Sequence, residues 1–297
     1  MFHQLFEYNK LYDHPNDHEC QKVLIFSLIE YLLNRCYSNI NCFYISKKKM
    51  RYFIYFSYNG KFYHGWQKQK NSVTVQEKIE ESLTLLLKNK IEVIGAGRTD
   101  TGVHAKEMVA HFDVDKYFEN PNKLIFKLNQ FLPNDISVKS LKSVKKDAHA
   151  RFDAISRTYK YYIYKEKDVF SEEYGYHLNF SLNIKNINEV IKVIINNKDF
   201  ECFTKSKTDV TNYLCNVLDS KWIELEKKYV FEITANRFLR NMVRSIVGTL
   251  IDVGLGKKSI NDFNEIIKSQ DRSMAGYSVP AKGLFLTKVN YPKEIFK

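Results

Sequence analysis

Eleven consecutive residues, Gly95-Ala96-Gly97-Arg98-Thr99-Asp100-Thr101-Gly102-Val103-His104-Ala105, concentrate the residue types that could do chemistry. Three glycines confine one arginine, one aspartate and two threonines to a tight turn after a strand, and loops held in this way position reactive side chains. An arginine close to an aspartate favours the ionised carboxylate. Such a carboxylate can act as nucleophile, base or electrostatic stabiliser. Asp100 is therefore the first candidate. In an arbitrary Gly-rich loop an aspartate ordinarily satisfies loop amides, so its role depends on what surrounds it.

Other chemistries find less support. Metal-dependent hydrolysis with Asp100 as ligand would need further carboxylates, and the nearest in sequence, Glu92, Glu107 and Asp113, form no recognisable ligand spacing. The five cysteines, Cys20, Cys36, Cys42, Cys202 and Cys215, show neither CxxC spacing nor nearby paired histidines. That pattern argues against a zinc site or a disulfide framework and fits a reduced, cytosolic setting. His104 and His111 lie beside strands, where a histidine is ordinarily a satisfied structural group.

The elements that must position the loop follow from periodicity. Arg51 to Tyr58, RYFIYFSY, reads as a strand closed by the Asn59-Gly60 turn. Thr74-Val75-Gln76-Glu77 matches a capping box, and Val75, Ile79, Leu83, Leu86 and Leu87 recur at helical spacing behind it. Short strands are expected near Glu92 to Gly95 and Met108 to Val114, a helix from Pro121 to about Leu132, and a strand from Ile136 to Val144. After about Ala150 the grammar repeats. Thr158 to Tyr164 is a strand, Ile184 to Ile195 a helix, and Lys221 to Glu226 with Tyr229 to Ala235 a hairpin. A helix from Leu239 to about Val253, another from Ser259 to Ser269 and a strand from Leu284 to Val289 finish the chain. Strands mixed with helices, without regular βαβ alternation, predict an α+β fold with antiparallel sheets.

The formal charge of +12 over 297 residues makes a polyanionic partner a reasonable expectation. Residues 1–49 hold six basic and five acidic residues, a net of +1, so +11 belongs to residues 50–297. Residues 1–49 read as an appended, short helical extension, and Met50 as an alternative start. Their longest apolar run, Val23 to Leu33, is interrupted by Ser27 and Glu30 and reaches about half the roughly 20 residues of a spanning helix. No basic n-region precedes that run, so neither a membrane anchor nor a secretory signal is expected.

GRTDTGVHA resembles the signature of the TruA family of tRNA pseudouridine synthases, and four further blocks resemble that family in the same order. They are Tyr58-Asn59-Gly60 through Gly65-Trp66-Gln67-Lys68-Gln69, then Arg151 to Ala154 with Arg157 to Tyr161, then Asn236 to Arg244, matching NxFLxxMVR, and finally Pro280 to Leu286. The resemblance implies that Asp100 is catalytic, that Tyr159 lies against the target base and that Arg244 pairs with Asp100; the chemistry itself leaves Arg98 to hold the displaced backbone phosphate. The resemblance further implies two related α+β halves, 50–155 and 156–297, with antiparallel or mixed sheets joined in one continuous sheet, helices on one side and a basic cleft between the halves. It also implies a homodimer acting on tRNA at uridines 38, 39 and 40 of the anticodon arm. The reaction breaks the bond from C1′ to N1, turns the uracil and joins C1′ to C5. It is an isomerisation that requires no cofactor and no metal. Attack of Asp100 on C1′ and removal of the 2′ proton both fit. Trp66 and Gln67 either line the RNA cleft or pack a loop, and Lys205, Lys207, Lys257 and Lys258 would add salt-dependent phosphate attraction. A non-catalytic tRNA-binding protein on the same scaffold is the competing reading, opposed by the intact Asp100, Tyr159 and Arg244 set.

Overall fold

The structure, a computed structural model, describes residues 49–205 and 211–297. The expectations placed on the extension, on Lys207 and on Cys20, Cys36 and Cys42 fall on residues outside that range. The first element, β1 (Met50–Tyr58), buries Phe53, Ile54 and Phe56 completely, because both its edges are paired and both its faces covered. Helix α1 (Val75–Leu87) begins at Thr74, whose Oγ1 accepts the Glu77 amide, and buries Val75, Ile79 and Leu83. Next come β2 (Ile94–Gly95), β3 (His104–Val114), α2 (Pro121–Phe131) and β4 (Ile136–Val144). Asn120 caps α2 and its proline occupies the first turn, where a missing amide costs nothing.

The second part of the chain supplies β5 (Ser156–Tyr164), β6 (Tyr176–His177), α3 (Ile184–Asn196), β7 (Val217–Glu224), β8 (Lys228–Ala235), α4 (Met242–Gly254), α5 (Ile260–Ser269) and β9 (Leu284–Asn290). The reciprocal capping box, expected at Thr74, forms instead at Ser259 and Asp262 ahead of α5. The short β6 carries no sequence signal, since two residues cannot show a period.

All nine strands join one sheet in the order β4-β1-β3-β9-β5-β8-β7, with β2 beside β3 and β6 beside β5. Element order predicted antiparallel pairing, and the resemblance antiparallel or mixed sheets. The sheet is mixed, because β3 with β9 and β5 with β6 run parallel. Strands from residues 50–144 lie on one side of the path and those from 156–290 on the other. The join is two residue pairs deep, His104 with Phe285 and Ala105 with Leu286. The last strand of the chain therefore sits mid-sheet, and the loop that runs into His104 lies at the seam.

Helix α4 starts at Met242, three residues after the expected Leu239. Asn241 is left-handed, with φ 68°, and one such residue ends the run of helical hydrogen bonds. Its side-chain amide donates to Ser278 Oγ at 2.6 Å. Beyond that kink α4 is buried almost all round and meets residues 276–279 at backbone contact. A Cβ added at Gly248 would stand 1.8 Å from Tyr277 O. Gly248→Ala should therefore force α4 and that segment apart, costing about 3 kcal/mol. For a chain of this size, that lowers Tm by ~6–12 °C in a thermal melt. A fall under about 2 °C would show that the contact yields freely.

Candidate active site

The Gly-rich loop is pinned from beneath by its own side of the sheet. Ala96 N–H donates to Val109 O at 2.7 Å, after which the chain leaves β2. Thr99 is buried, its Oγ1 2.8 Å from Tyr58 Oη, and its carbonyl accepts Trp66 N–H at 3.2 Å. Val103 N–H closes a turn on Asp100 O at 3.1 Å. Gly102, left-handed with φ 77°, then turns the chain into β3. With the loop backbone tied down on both sides of it, Asp100 keeps its carboxylate 28% exposed at the seam.

Two cations from α4 and its lead-in reach that carboxylate. Arg240 Nε stands 3.5 Å from Asp100 Oδ1, and Arg244 Nη1 3.9 Å from Oδ2. Both distances exceed the roughly 2.7–2.9 Å of a tight charge-assisted hydrogen bond. Arg244 is steered by its other nitrogen, Nε, which donates to Val279 O at 2.7 Å, while Val279 N–H returns to Arg244 O at 3.3 Å. The segment leading into β9 thus orients it.

Tyr159 belongs to β5, opposite Ile233 of β8 and Leu286 of β9. The β5–β9 register slips between Thr158 and Tyr159, leaving Thr287 over, and such bulges re-aim a neighbouring side chain. Its buried ring meets Phe238 edge-on at 5.1 Å. Burial, and after it the Asp100 charge, push the phenol above its ordinary range, so Tyr159 stays protonated at neutral pH. The partial opposition of Arg157 does not reverse this.

Arg157 ties the parts together. One guanidinium nitrogen donates to Ala154 O at 3.0 Å and Asn236 O at 2.7 Å, the other to Ala96 O at 2.8 Å and to Arg151 O. It fastens the start of the Asp100 loop to the segment that carries Arg240 and Arg244. Among the described residues its acceptors are backbone carbonyls, and burial lowers its pKa from the usual arginine value.

Of the residues singled out from sequence, Asp100, Tyr159 and Arg244 come together. Arg98 does not join them. It points outward, its Nε on Gln67 Oε1 at 3.1 Å, and Gln67 in turn donates to Gln76 at 3.0 Å. The arginines beside Asp100 are therefore those of α4 and its lead-in and not its neighbour in the loop. Arg240 was missed, although it lies four residues before Arg244 in the same block. Trp66 packs a loop, buried and stacked on Phe56 at 5.6 Å, whereas Gln67 is exposed.

The remaining candidates have structural duties. His104 Nδ1 accepts the Gly60 amide and His111 Nδ1 the Ala150 amide. Burial lowers both, His111 to about 4, which keeps them neutral acceptors. Glu107 takes the Val289 amide, Asp113 pairs with Arg51 and Glu92 with Lys90. Among the described residues no group of three or more His, Cys, Asp or Glu side chains could hold a metal ion. Cys202 and Cys215 are buried free thiols.

The sequence profile of a family described as tRNA pseudouridine synthase matches residues 54–153 and 195–292. The chain is 50% identical over 248 residues to tRNA pseudouridine synthase A of Bacteroides fragilis, covering 83% of this chain and 98% of that protein. It is 48% identical over 246 residues to the protein of that name in Parabacteroides distasonis, covering 83% and 98%. Against its namesake in Bacillus subtilis it is 38% identical over 239 residues, covering 79% and 96%.

Proposed function

Because this chain belongs to the tRNA pseudouridine synthase family, we propose that it isomerises uridine to pseudouridine at positions 38–40 of the tRNA anticodon arm with Asp100 as its one catalytic carboxylate. The chain is an isomerase, and its substrate is tRNA. One observation carries the finer reading: Asp100 projects at the sheet seam with Arg240, Arg244 and Tyr159 gathered around it, and no other described carboxylate shares that company.

The chemistry asks for little more. Cleavage of C1′–N1 develops charge on the ribose as in glycoside cleavage, and an ionised carboxylate beside it stabilises that charge. Attack on C1′ and removal of the 2′ proton ask for the same group in the same place. The uracil then turns, C5 bonds to C1′, C5 loses its hydrogen as a proton, and N1 ends protonated. Nothing is transferred to a second molecule, so neither metal nor cofactor has a step to perform. The target base must leave its stack at a cost of a few kcal/mol. Tyr159 repays part of this by lying against it, and Arg98, exposed on the outer rim of the loop, holds the displaced phosphate.

The wider arrangement belongs to the same proposal. Residues 50–155 and 156–297 act as two halves with helices on one side of the sheet, forming a basic cleft that draws on the +11 charge of residues 50–297. Two copies present their clefts to one tRNA. Among the described residues no helix is long and apolar enough to cross a membrane, and we place the enzyme in the cytoplasm, beside its substrate.

Mapping pseudouridine in unmodified tRNA transcripts after incubation with the purified chain in EDTA tests this reading. New pseudouridine confined to positions 38–40 is expected. Modification outside the anticodon arm would overturn the assignment of target, and loss of all activity in EDTA the metal-free chemistry.

A further inference from the structure

We propose that Arg240 is an exchangeable phosphate ligand, resting on Asp100 in the free enzyme and moving to a backbone phosphate beside the target nucleotide when tRNA enters. The proposal rests on Asp100 being the catalytic carboxylate. The family blocks assign Arg240 no role, and it occupies one of the open positions of NxFLxxMVR.

The two arginines on Asp100 are held very differently. Arg244 is 21% exposed and its Nε is committed to Val279 O at 2.7 Å. Arg240 is 59% exposed, and among the described residues Asp100 is its guanidinium's only acceptor, at 3.5 Å. Its backbone, by contrast, is fixed. Arg240 O accepts Lys205 N–H at 3.0 Å and the Thr204 hydroxyl at 3.5 Å, and left-handed Asn241 follows. The result is a long side chain with an anchored root and a tip in solvent at the edge of the site.

Magnitudes favour exchange. An exposed ion pair of this length contributes little, so leaving Asp100 costs little. A guanidinium can meet a phosphate bidentately, with two parallel charge-assisted bonds. In the resting site two cations share one carboxylate, a surplus positive charge where a polyanion must dock. Once a phosphate takes Arg240, Asp100 keeps one anchored cation and its outer oxygen faces the ribose. The pair thus shields the carboxylate until substrate arrives and contributes to binding afterwards.

The test compares Arg240→Gln and Arg240→Lys with the unaltered enzyme in single-turnover tritium release from C5-labelled tRNA. The tRNA concentration at half-maximal rate and the saturating rate are read from about 50 to about 200 mM salt. Arg240→Gln should raise the half-maximal concentration by about 10-fold and lower the salt slope by about one phosphate contact. Its saturating rate should stay within about 3-fold, since the interaction is made before the chemical step. Arg240→Lys should restore the slope. An unchanged slope and half-maximal concentration would overturn the phosphate contact, and so would a fall in saturating rate alone, which would make Arg240 a residue acting through Asp100. Asp100→Asn in the same assay separates the two readings. Full activity there removes the catalytic assignment, while the salt slope still decides Arg240.

Discussion

Asp100→Asn is expected to leave a folded protein that binds tRNA and releases essentially no hydrogen from uridine C5, a loss of about 10⁴-fold or more, the scale seen when an essential catalytic carboxylate or nucleophile is removed. Asparagine preserves shape and can still face Arg240 and Arg244, so the loop should hold. Its backbone is fixed through Thr99, Tyr58, Trp66 and Val103, none of which uses the carboxylate. What disappears is the charge that meets the ribose as C1′–N1 breaks, together with any capacity to bond C1′ or take a proton. With that charge gone the two arginines are unopposed, so tRNA affinity should hold or increase. The measurement is tritium release from C5-labelled tRNA beside a binding isotherm. Release within about tenfold of the unaltered enzyme would contradict Asp100 as catalyst, because tenfold is only about 1.4 kcal/mol of barrier.

Arg244→Ala is expected to lower the saturating rate by about 10²–10³-fold, the usual effect of removing one preorganised electrostatic partner from a reacting charge. The half-maximal tRNA concentration should change far less. The reason is the anchor: Arg244 is oriented by Val279 O before substrate arrives and has no freedom to follow a phosphate. Its work is to hold the Asp100 carboxylate in one direction, an effect expressed in the chemical step. Arg244→Lys should recover only part of the rate, since an ammonium cannot grip Val279 O and face Asp100 with the same planar fork. Single-turnover kinetics over a range of tRNA concentrations separate the two parameters. A change confined to the half-maximal concentration would instead make Arg244 an RNA ligand.

Much of this protein was legible before any coordinates. RYFIYFSY announces β1 by its β-branched and aromatic content, and Ile136 to Val144 is β4 to the residue. The helix expected from Ile184 to Ile195 is α3, Ile184–Asn196. These signals are local, because a strand alternates every two residues and a helix turns every 3.6, and both periods fit within one element. The loop that carries Asp100 stands out for the same reason, its glycines, threonines and arginine lying within a few residues, while the choice of Asp100 over an ordinary turn aspartate comes from the family blocks around it.

The failures are equally specific. Helix α4 begins late because Asn241 turns left-handed in a context its neighbours do not reveal. Arg98, two residues before Asp100, faces Gln67, while Arg240, given no role from sequence, stands at Asp100 beside Arg244, whose pairing the resemblance implies. The bulge that aims Tyr159 arises where β5 meets β9. Sequence by itself determined the elements, the reactive loop and the family. The tertiary structure decided that Arg240 joins Arg244 at the carboxylate and Arg98 does not, because that depends on the parallel pairing of β3 with β9, and the hydrogen bonds joining two strands so far apart in the chain leave no periodic trace in either.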